Sequence, residues 1–274
     1  MTLLVDYARR YAQKVGASPG YLEQLEVFTQ RLPWHVEEIT TEMVDSYLTT
    51  ALRRLAPTTV ANHRRYLTTL MAAAKRDGLN SCTDRFRRVK VPRPVPRAWS
   101  LDELRQLIAA ARQTPGHFRD LHKSDFLVAW FLTGYALGLR AGDLMAMKWA
   151  EVRGRRIYLR QNKTSTPHVA VFTDEALAAC QRLPKRPRIF GDFAALNTVQ
   201  QWVKECTVRA GLDGTTKFLR RSCATYAKVN GMSPQAKLGH LTPGLAERCY
   251  VDQLLYEQET GANSEPLPAV LAHS

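Results

Sequence analysis

Apolar residues recur at helical spacing through the first third of the chain. In residues 41–55, "TEMVDSYLTTALRRL", they repeat at the spacing that forms one buried face of an α-helix and leave the arginines at one end. Residues 57–78 open on Pro57 and close on Gly78, which are typical start and stop signals of a helix. The pattern therefore predicts a helical N-terminal domain with basic residues on its surface.

The pattern changes at residues 91–98, "VPRPVPRA", where every second residue from Pro92 to Pro96 is proline. Alternating prolines forbid a helix and favour an extended, stiff chain. At about 3.1 Å per residue, such a segment reaches roughly 25 Å, which is about the width of a DNA duplex. We expect a linker here that could place two domains around one duplex, although an ordinary spacer between domains is equally compatible with this composition.

A second helical pattern begins at Ser100, which forms an S-x-x-E capping box with Glu103. The most apolar stretch, residues 126–139, is too short to cross a membrane and predicts a buried helix. Two β-prone runs, residues 155–161 and 168–173, flank the polar "NKTSTP" and predict a hairpin. Further helices are predicted at residues 174–182, 197–210 and 218–230, and around 245–258.

These patterns predict a mainly α fold with a small β-sheet or hairpin. We expect an α-helical domain at residues 1–90, a proline-rich linker at 91–98, an α+β domain at 99–259 and a tail at 260–274. The tail carries one apolar cluster, "LPAVL", at residues 267–271.

Charge narrows the range of functions. The 274 residues hold 39 Lys and Arg against 25 Asp and Glu, a formal charge of +14. Twelve of the basic residues fall between Arg53 and Arg97, where Asp77 and Asp84 are the only acids. This imbalance is unusual for an enzyme of small neutral metabolites and favours a polyanionic partner, with a solvated basic face as the plainer interpretation.

The cysteines do not suggest a metal site or a disulfide framework. The five are scattered, odd in number and form no C-x-x-C pair; they are Cys82, Cys180, Cys206, Cys223 and Cys249. We expect a reducing compartment and no zinc site. The N-terminal sequence has no apolar core of signal-peptide length, so we expect no export and no membrane partner.

Three separate stretches carry the candidate chemistry: "GLRAGDL" at residues 138–144, "KFLRRSCAT" at 217–225, and "LGH" at 238–240 followed by Tyr250. Together, in this order and with a lysine in a hairpin between the first two, they resemble the boxes of the tyrosine recombinases, the phage-integrase family of DNA strand-exchange enzymes. The resemblance covers roughly residues 100–256. The N-terminal helices resemble the family's core-binding domain only loosely.

The resemblance implies a catalytic set, namely Arg140, Lys163, Lys217, Arg220, His240 and Tyr250, with Asp143 behind Arg140. The chemistry of these residue types agrees with it. Guanidinium groups neutralise phosphate oxygens through paired hydrogen bonds, a tyrosine hydroxyl can attack phosphorus, and a lysine ammonium can protonate the leaving oxygen. No metal ion or other cofactor is expected, because side chains would supply the positive charge.

Rival residues exist for two of these roles. Arg221 lies beside Arg220, but the spacing from Lys217 favours Arg220. Tyr256 could replace Tyr250 as nucleophile, yet on one continuous helix the two would point about 240° apart. His168, on a predicted strand beside Pro167, is interpreted as structural.

We therefore expect a site-specific DNA recombinase that forms a covalent 3′-phosphotyrosine intermediate. The basic side chains expected to bind DNA are Arg53, Arg54, Arg64, Arg65, Lys75, Arg76, Arg87, Arg88 and Lys90. The resemblance implies double-stranded DNA as partner, a mobile-element or integration role, and a place in the cytoplasm at the nucleoid. It also implies a tetramer on two DNA sites, built from protomers that are monomeric free in solution, in which the C-terminal segment of one protomer docks on its neighbour. We expect the cluster "LPAVL" to make this contact.

Two alternatives remain open from the sequence. A type IB topoisomerase-like enzyme would use the same residue types without site preference. A catalytically inactive DNA-binding regulator would keep the fold without the geometry that catalysis needs. The support for it is that the segment from Arg220 to His240 is shorter than in the family pattern, while that from His240 to Tyr250 is slightly longer.

Overall fold

A computed structural model of the chain describes residues 1–82, 85–92, 95–240 and 242–261. The chain divides into two compact units, Met1–Pro94 and Val95–Ser274. The boundary falls inside the segment 91–98 that the prolines mark as a linker. Residues 262–274, and with them the predicted docking cluster "LPAVL", lie outside the described residues.

The first unit is helical. Its helices are α1 (Leu4–Lys14), α2 (Pro19–Thr29), α3 (Thr41–Ala51) and α4 (Pro57–Arg76). The central helix α4 begins at the predicted proline and buries one face, which includes Leu67, Leu70 and Met71. The hydroxyl of Tyr7 on α1 donates to Asp77 Oδ2 at 2.8 Å, just beyond the end of α4.

A segment after α4 packs back onto the same unit. Phe86 is buried, and the Arg64 guanidinium donates to the carbonyl oxygens of Phe86 and Arg87 at 2.8–3.1 Å. The Arg87 side chain donates to Thr49 Oγ1 at 3.1 Å. Arg64 was predicted to bind DNA; its Nε and Nη2 groups donate to carbonyl oxygens of the protein's own backbone, which need donors.

The second unit contains nine helices and five strands among its described residues. The helices are α5 (Leu101–Arg112), α6 (Lys123–Leu137), α7 (Ala141–Ala146), α8 (Asp174–Gln181), α9 (Leu196–Arg209), α10 (Thr216–Val229), α11 (Pro234–Leu238), α12 (Leu245–Cys249) and α13 (Gln253–Thr260). The strands are β1 (His117–Phe118), β2 (Leu121–His122), β3 (Val152–Arg153), β4 (Arg156–Arg160) and β5 (Pro167–Val171).

Helix α6 forms the centre of this unit. It is buried along nearly its whole length, as its apolar sequence predicts, and Trp130 is fully enclosed. Helix α10 packs against it so closely that Leu219 touches the backbone at Gly134. The first box and the second box of the sequence are therefore brought side by side by one helix–helix contact.

The sheet is small and antiparallel. Strands β3, β4 and β5 pair in that order, with Leu159 opposite His168 and Arg160 opposite Pro167. The β4–β5 pair is the predicted hairpin, and its turn carries Lys163. The capping box at Ser100 and Glu103 is also present at the start of α5. The predicted class, mainly α with a small β-sheet, is confirmed.

The prediction of one helix around residues 245–258 was wrong. The chain forms two short helices, α12 and α13, that are broken between Tyr250 and Asp252. Asp252 explains the break: it caps α13 by accepting from Leu255 N and also accepts from Ala98 N, at 3.1 and 2.8 Å. Ala98, at the end of the predicted linker, is consequently buried against the second unit.

No helix in the described ranges is long and apolar enough to cross a membrane. Cys180, Cys206 and Cys223 are buried, and Cys249 is exposed.

The two neighbouring arginines of α4 should behave differently. We expect Arg64→Ala to lower the free energy of unfolding by about 1–2 kcal/mol, since it leaves backbone carbonyls without their charged donor. Arg65→Ala, which removes an exposed side chain one residue away, should change it by less than about 0.5 kcal/mol. Chemical denaturation of both variants tests this, and equal stability of the two would contradict the role assigned to Arg64.

Candidate active site

Arg220 is a buried cation held by backbone carbonyls. It lies on α10 with 3% of its surface exposed. Its Nη1 donates to the carbonyl of Gly138 at 2.5 Å and its Nη2 to the carbonyl of Leu238 at 3.3 Å. No carboxylate of the described residues forms an ion pair with it. A buried charge without a counter-charge is unfavourable, so this position favours an anion as ligand.

The two carbonyls reach Arg220 because two helices end beside it. Gly138 ends α6 and Gly239 ends α11, both in the left-handed conformation, with φ of 60° and 65°. A Cβ at Gly138 would lie 2.7 Å from Cys223 Sγ, and one at Gly239 would lie 2.5 Å from His168 Nδ1. The glycines in "GLR" and "LGH" are thus required by both backbone conformation and space.

Arg140 lies at the start of α7. Its Nη1 donates to Gln161 Oε1 at 2.7 Å and lies 3.8 Å from Asp143 Oδ2. Burial lowers the pKa of Arg220, and the positive charge of Arg140 lowers it further. The structure therefore brings Arg140 and Arg220, 80 residues apart in the sequence, into electrostatic contact. We call them the arginine pair.

His240 adjoins the arginine pair as a neutral imidazole. Its Nε2 lies 2.7 Å from Arg220 Nη2, and because a guanidinium can only donate, Nε2 is the acceptor and the proton is on Nδ1. Burial and the positive charges of Arg220 and Arg140 lower the pKa of His240 to about 4. The shorter segment between Arg220 and His240 is bridged by the short helix α11, and the contact is still made.

Tyr250 completes this cluster. Its ring centroid lies 4.9 Å from Arg220 Cζ and 5.1 Å from the ring centroid of His240. The proximity of Tyr250 acts to raise the pKa of Arg220, against the larger effects of burial and of Arg140. The ring is partly exposed, because it lies at the break between α12 and α13. Tyr256 is elsewhere, with Lys228 Nζ 4.1 Å from its ring centroid.

The two predicted lysines are not drawn into the cluster. Lys163 lies exposed in the β4–β5 turn, and Lys217 lies exposed in the first turn of α10. Neither amino group makes a hydrogen bond or ion pair with another described residue. Asn162, next to Lys163, is anchored, since its backbone N–H donates to Asp143 Oδ1 at 2.8 Å. Asp143 thus contacts both Arg140 and the lysine-bearing turn.

Sequence reasoning missed Gln161 and set His168 aside. Both lie in the cluster: Gln161 accepts from Arg140, and the charge of Arg220 contributes, after burial, to the lowered pKa of His168. Strand alternation could have found them. Gln161 follows β4 in step with the inward-facing Ile157 and Leu159, and His168 is in step with the buried Ala170. A polar residue at an inward-facing strand position is a signal of this kind.

Unpartnered polar atoms concentrate at the cluster. Among the described residues, six buried side-chain polar atoms lack a hydrogen-bond partner, and four of them are Asp143 Oδ2, His168 Nε2, Arg220 Nε and His240 Nδ1. Buried polar groups are normally paired, so such a concentration points to a ligand. Arg220 Nε and His240 Nδ1 are donors, which suits an oxyanion.

Most of the basic residues predicted to bind DNA lie free on the first unit. Arg53 and Arg54 follow α3, and their guanidinium groups make no hydrogen bond or ion pair with another described residue. Arg65, Lys75, Arg76, Arg88 and Lys90 are also exposed. Arg64 and Arg87 are the exceptions described above.

Solved structures similar in fold are DNA-bound enzymes. A lambda integrase dimer bound to a COC′ core site matches with a TM-score of 0.77 and 19% identity, over 92% of this chain and 96% of that chain. A lambda integrase tetramer bound to a Holliday junction matches with a TM-score of 0.75 and 19% identity, over 91% and 76%. The Tn1549 transposon integrase with circular intermediate DNA matches with a TM-score of 0.65 and 13% identity, over 91% and 95%.

This chain has the tyrosine-recombinase fold. Comparisons of its sequence with family models and with curated proteins find no match. The tyrosine-recombinase likeness is therefore one of three-dimensional structure, spread over nearly the whole chain, together with the three boxes. Among the described residues, no group of three or more His, Cys, Asp or Glu side chains is arranged to hold a metal ion.

The pKa of His240 predicts a loss of stability in acid. The unfolded chain binds a proton at this residue near pH 6.5, whereas the folded chain does so only near pH 4. Between these values the unfolded state holds more protons, so stability should fall as the pH drops from about 6.5 to about 4 and change no further below that on account of His240.

Thermal unfolding across this pH range measures the effect. His240→Gln should show a flatter dependence than the unaltered protein. Part of the remainder comes from His63 and His168, whose pKa values are also lowered by burial, and from carboxyl groups such as Asp77, whose pKa is lowered by hydrogen bonds from Tyr7 and Lys14. His122→Gln, at an exposed position outside the cluster, is the matched control for replacing a histidine by glutamine. An unchanged slope in His240→Gln would contradict a neutral His240.

Proposed function

We propose that this chain is a site-specific DNA recombinase that cuts and rejoins DNA through a covalent bond between Tyr250 and a 3′-phosphate. One observation carries the proposal: the Tyr250 ring and a neutral His240 lie beside Arg220, whose guanidinium is in electrostatic contact with that of Arg140 from a different box of the sequence. The DNA-bound integrases of the same fold support it.

The arginine pair binds the scissile phosphate in this mechanism. Two guanidinium groups can each donate to a non-bridging oxygen and neutralise the charge that builds up during displacement. Arg220 is suited to this role because it has no carboxylate partner among the described residues and its Nε has no acceptor. His240 adds a third donor through Nδ1–H. Side chains thus supply the electrostatic stabilisation that metal ions supply in other phosphoryl-transfer enzymes.

The Tyr250 hydroxyl gives up its proton to solvent, and its oxygen attacks phosphorus in line with the bond to the 5′-oxygen. The new phosphodiester joins tyrosine to the 3′ end of the cut strand, and the broken P–O bond leaves a 5′-oxygen that needs a proton. Lys163 is the candidate donor, because an unpaired ammonium on a hairpin turn can approach bound DNA. Lys217, at the start of the helix that carries Arg220, is proposed to contact the same phosphate. The reverse reaction, with a 5′-hydroxyl from another strand, rejoins the DNA.

The two units divide the work. The first unit, proposed as the core-binding domain, supplies phosphate contacts from its exposed basic residues, and the second carries the chemistry. Recombination needs two DNA sites, and the lambda integrase tetramer on a Holliday junction is a fold relative that assembles in this way. We propose a tetramer on two sites, an integration or excision role on a mobile element, and a place in the cytoplasm at the nucleoid, where such DNA lies.

A nicked suicide substrate tests the activity. It lets the short fragment that carries the newly formed 5′-hydroxyl diffuse away after cleavage, so the covalent protein–DNA adduct accumulates. We expect an adduct with the unaltered protein, none with Tyr250→Phe, and a rate reduced at least about 100-fold in Arg220→Ala, because removal of one oxyanion donor commonly costs that much. Denaturing gel electrophoresis measures the adduct, with Tyr256→Phe as the matched control that should react normally.

The same assay separates the alternatives. Binding without any adduct would identify an inactive DNA-binding regulator. An adduct formed equally on unrelated duplexes, with relaxation of supercoiled plasmid, would identify a topoisomerase-like enzyme instead.

The proposed DNA surface predicts a salt dependence. The double variant Arg53→Ala/Arg54→Ala should reduce the slope of log K against log salt concentration by about 1–2, as expected for the loss of one or two phosphate contacts. The variant Arg9→Ala/Arg10→Ala removes the same charge from α1, where Arg9 is paired with Glu26, and should leave the slope nearly unchanged. Binding titrations over a range of salt concentrations provide the measurement. Equal slopes in the two double variants would show that Arg53 and Arg54 are not part of the DNA-binding surface.

A further inference from the structure

Gln161 is a buried polar residue that the proposed mechanism does not use. It is fully enclosed, with 0% of its surface exposed. Its backbone closes the base of the β4–β5 turn, where its N–H donates to Thr166 O at 2.9 Å and its carbonyl accepts from Ser165 N at 2.7 Å. The side chain therefore starts from a fixed point on the hairpin.

The Gln161 amide connects the two halves of the arginine pair. Its Oε1 accepts from Arg140 Nη1 at 2.7 Å, and its Nε2 donates to the carbonyl of Leu238 at 3.0 Å. The same carbonyl accepts from Arg220 Nη2 at 3.3 Å. A continuous chain of hydrogen bonds thus runs from Arg140 through one side chain and one backbone carbonyl to Arg220.

Few side chains could make this connection. The position needs an acceptor facing a guanidinium and a donor facing a carbonyl at the same time, and a side-chain amide offers both. A carboxylate would lack the donor, and an apolar side chain would lack both groups. The amide is also confined, since a Cβ at Gly239 would lie 2.9 Å from Gln161 Nε2.

Loss of the Gln161 amide would mainly affect the position of Arg140. Arg220 would keep its bonds to the Gly138 carbonyl and to His240, and its helix is packed against α6. Arg140 would keep only Asp143, whose Oδ2 is 3.8 Å away and not hydrogen-bonded. Its guanidinium would no longer be held at a fixed distance from that of Arg220.

We propose that Gln161 is a positioning residue that sets the spacing of Arg140 and Arg220, so that both guanidinium groups engage the two non-bridging oxygens of one phosphate. This inference rests on the proposed recombinase function. It assigns Gln161 no contact with DNA and no proton transfer. Its effect is on the neutralisation of charge in the transition state.

Two variants and one control test the proposal. Gln161→Met has a similar length without hydrogen-bonding groups, and Gln161→Asn keeps the amide on a side chain too short to reach both partners. Gln181→Met, at the exposed end of α8, is the control for replacing glutamine by methionine. Each is assayed by DNA binding, thermal unfolding and single-turnover cleavage of a suicide substrate.

The decisive comparison uses a second substrate with a neutral methylphosphonate at the scissile position. On the ordinary phosphodiester we expect both Gln161 variants to cleave about 10–100-fold more slowly, with DNA affinity changed less than about 3-fold, because small misplacements of catalytic groups have effects of this size. The methylphosphonate has only one non-bridging oxygen, so the spacing of two guanidinium groups matters less, and the rates of the variants should come within about 3-fold of the unaltered protein.

The possible outcomes distinguish a positioning role of Gln161 from a merely structural one. An equal loss on both substrates would show a merely structural role and overturn the inference, as would normal cleavage of the phosphodiester by both variants. If Gln161→Met fails to fold, the same comparison with Gln161→Asn decides. Absence of an adduct from the unaltered protein would instead defeat the proposed function itself, and is recognised before any variant is compared.

Discussion

The site depends on how Arg220 is buried. A guanidinium with 3% exposure is held by two backbone carbonyls and a histidine rather than by a carboxylate. Carbonyl dipoles satisfy its hydrogen bonds but do not cancel its charge. The site therefore keeps a positive charge in a poorly solvated place, which favours an anionic ligand. An ion pair at the same position would have stabilised the empty protein at the expense of the ligand.

The fold around Arg220 follows from the need to bring backbone carbonyls to its guanidinium. Carbonyls can reach Arg220 only where helices end, and α6 and α11 end there in left-handed glycines. The close packing of α10 on α6 brings the arginine to those ends. The positive charges of the arginine pair in turn keep His240 neutral, so that its Nε2 accepts from Arg220 and its Nδ1–H remains to donate. The charge of the site, the tautomer of His240 and the left-handed glycines are thus all consequences of the way in which Arg220 is buried.

The position of Tyr250 shows a second constraint. The nucleophile role that we propose for Tyr250 requires an approach to phosphorus along one line, for which a tyrosine in the middle of a packed helix face has little freedom. The break between α12 and α13, maintained by Asp252 as a helix cap, leaves Tyr250 at a helix end beside the arginine pair. The extra length between His240 and Tyr250 is taken up by the turn before α12. The departures in spacing from the family pattern therefore leave the cluster assembled.

The sequence by itself determined the local features. Helical periodicity, the capping box, the hairpin and the glycine-terminated boxes can be recognised because each depends on neighbours within a few residues. It also indicated Arg140, Arg220, His240 and Tyr250 as candidates, through their resemblance to a known set of motifs. The basic span from Arg53 to Arg97 was visible in the charge alone, although which arginines are free was not.

Tertiary structure decided the rest, because it depends on contacts between distant segments. That Arg64 serves its own backbone, that Gln161 joins the arginine pair and that His168 adjoins Arg220 are facts of packing between elements. The break after Tyr250 arises because Asp252 bonds to Ala98, more than 150 residues earlier. Helix and strand propensities and hydrophobic periodicity do not reveal such pairings, since the energy that selects the pairings is gained only when the chain has folded.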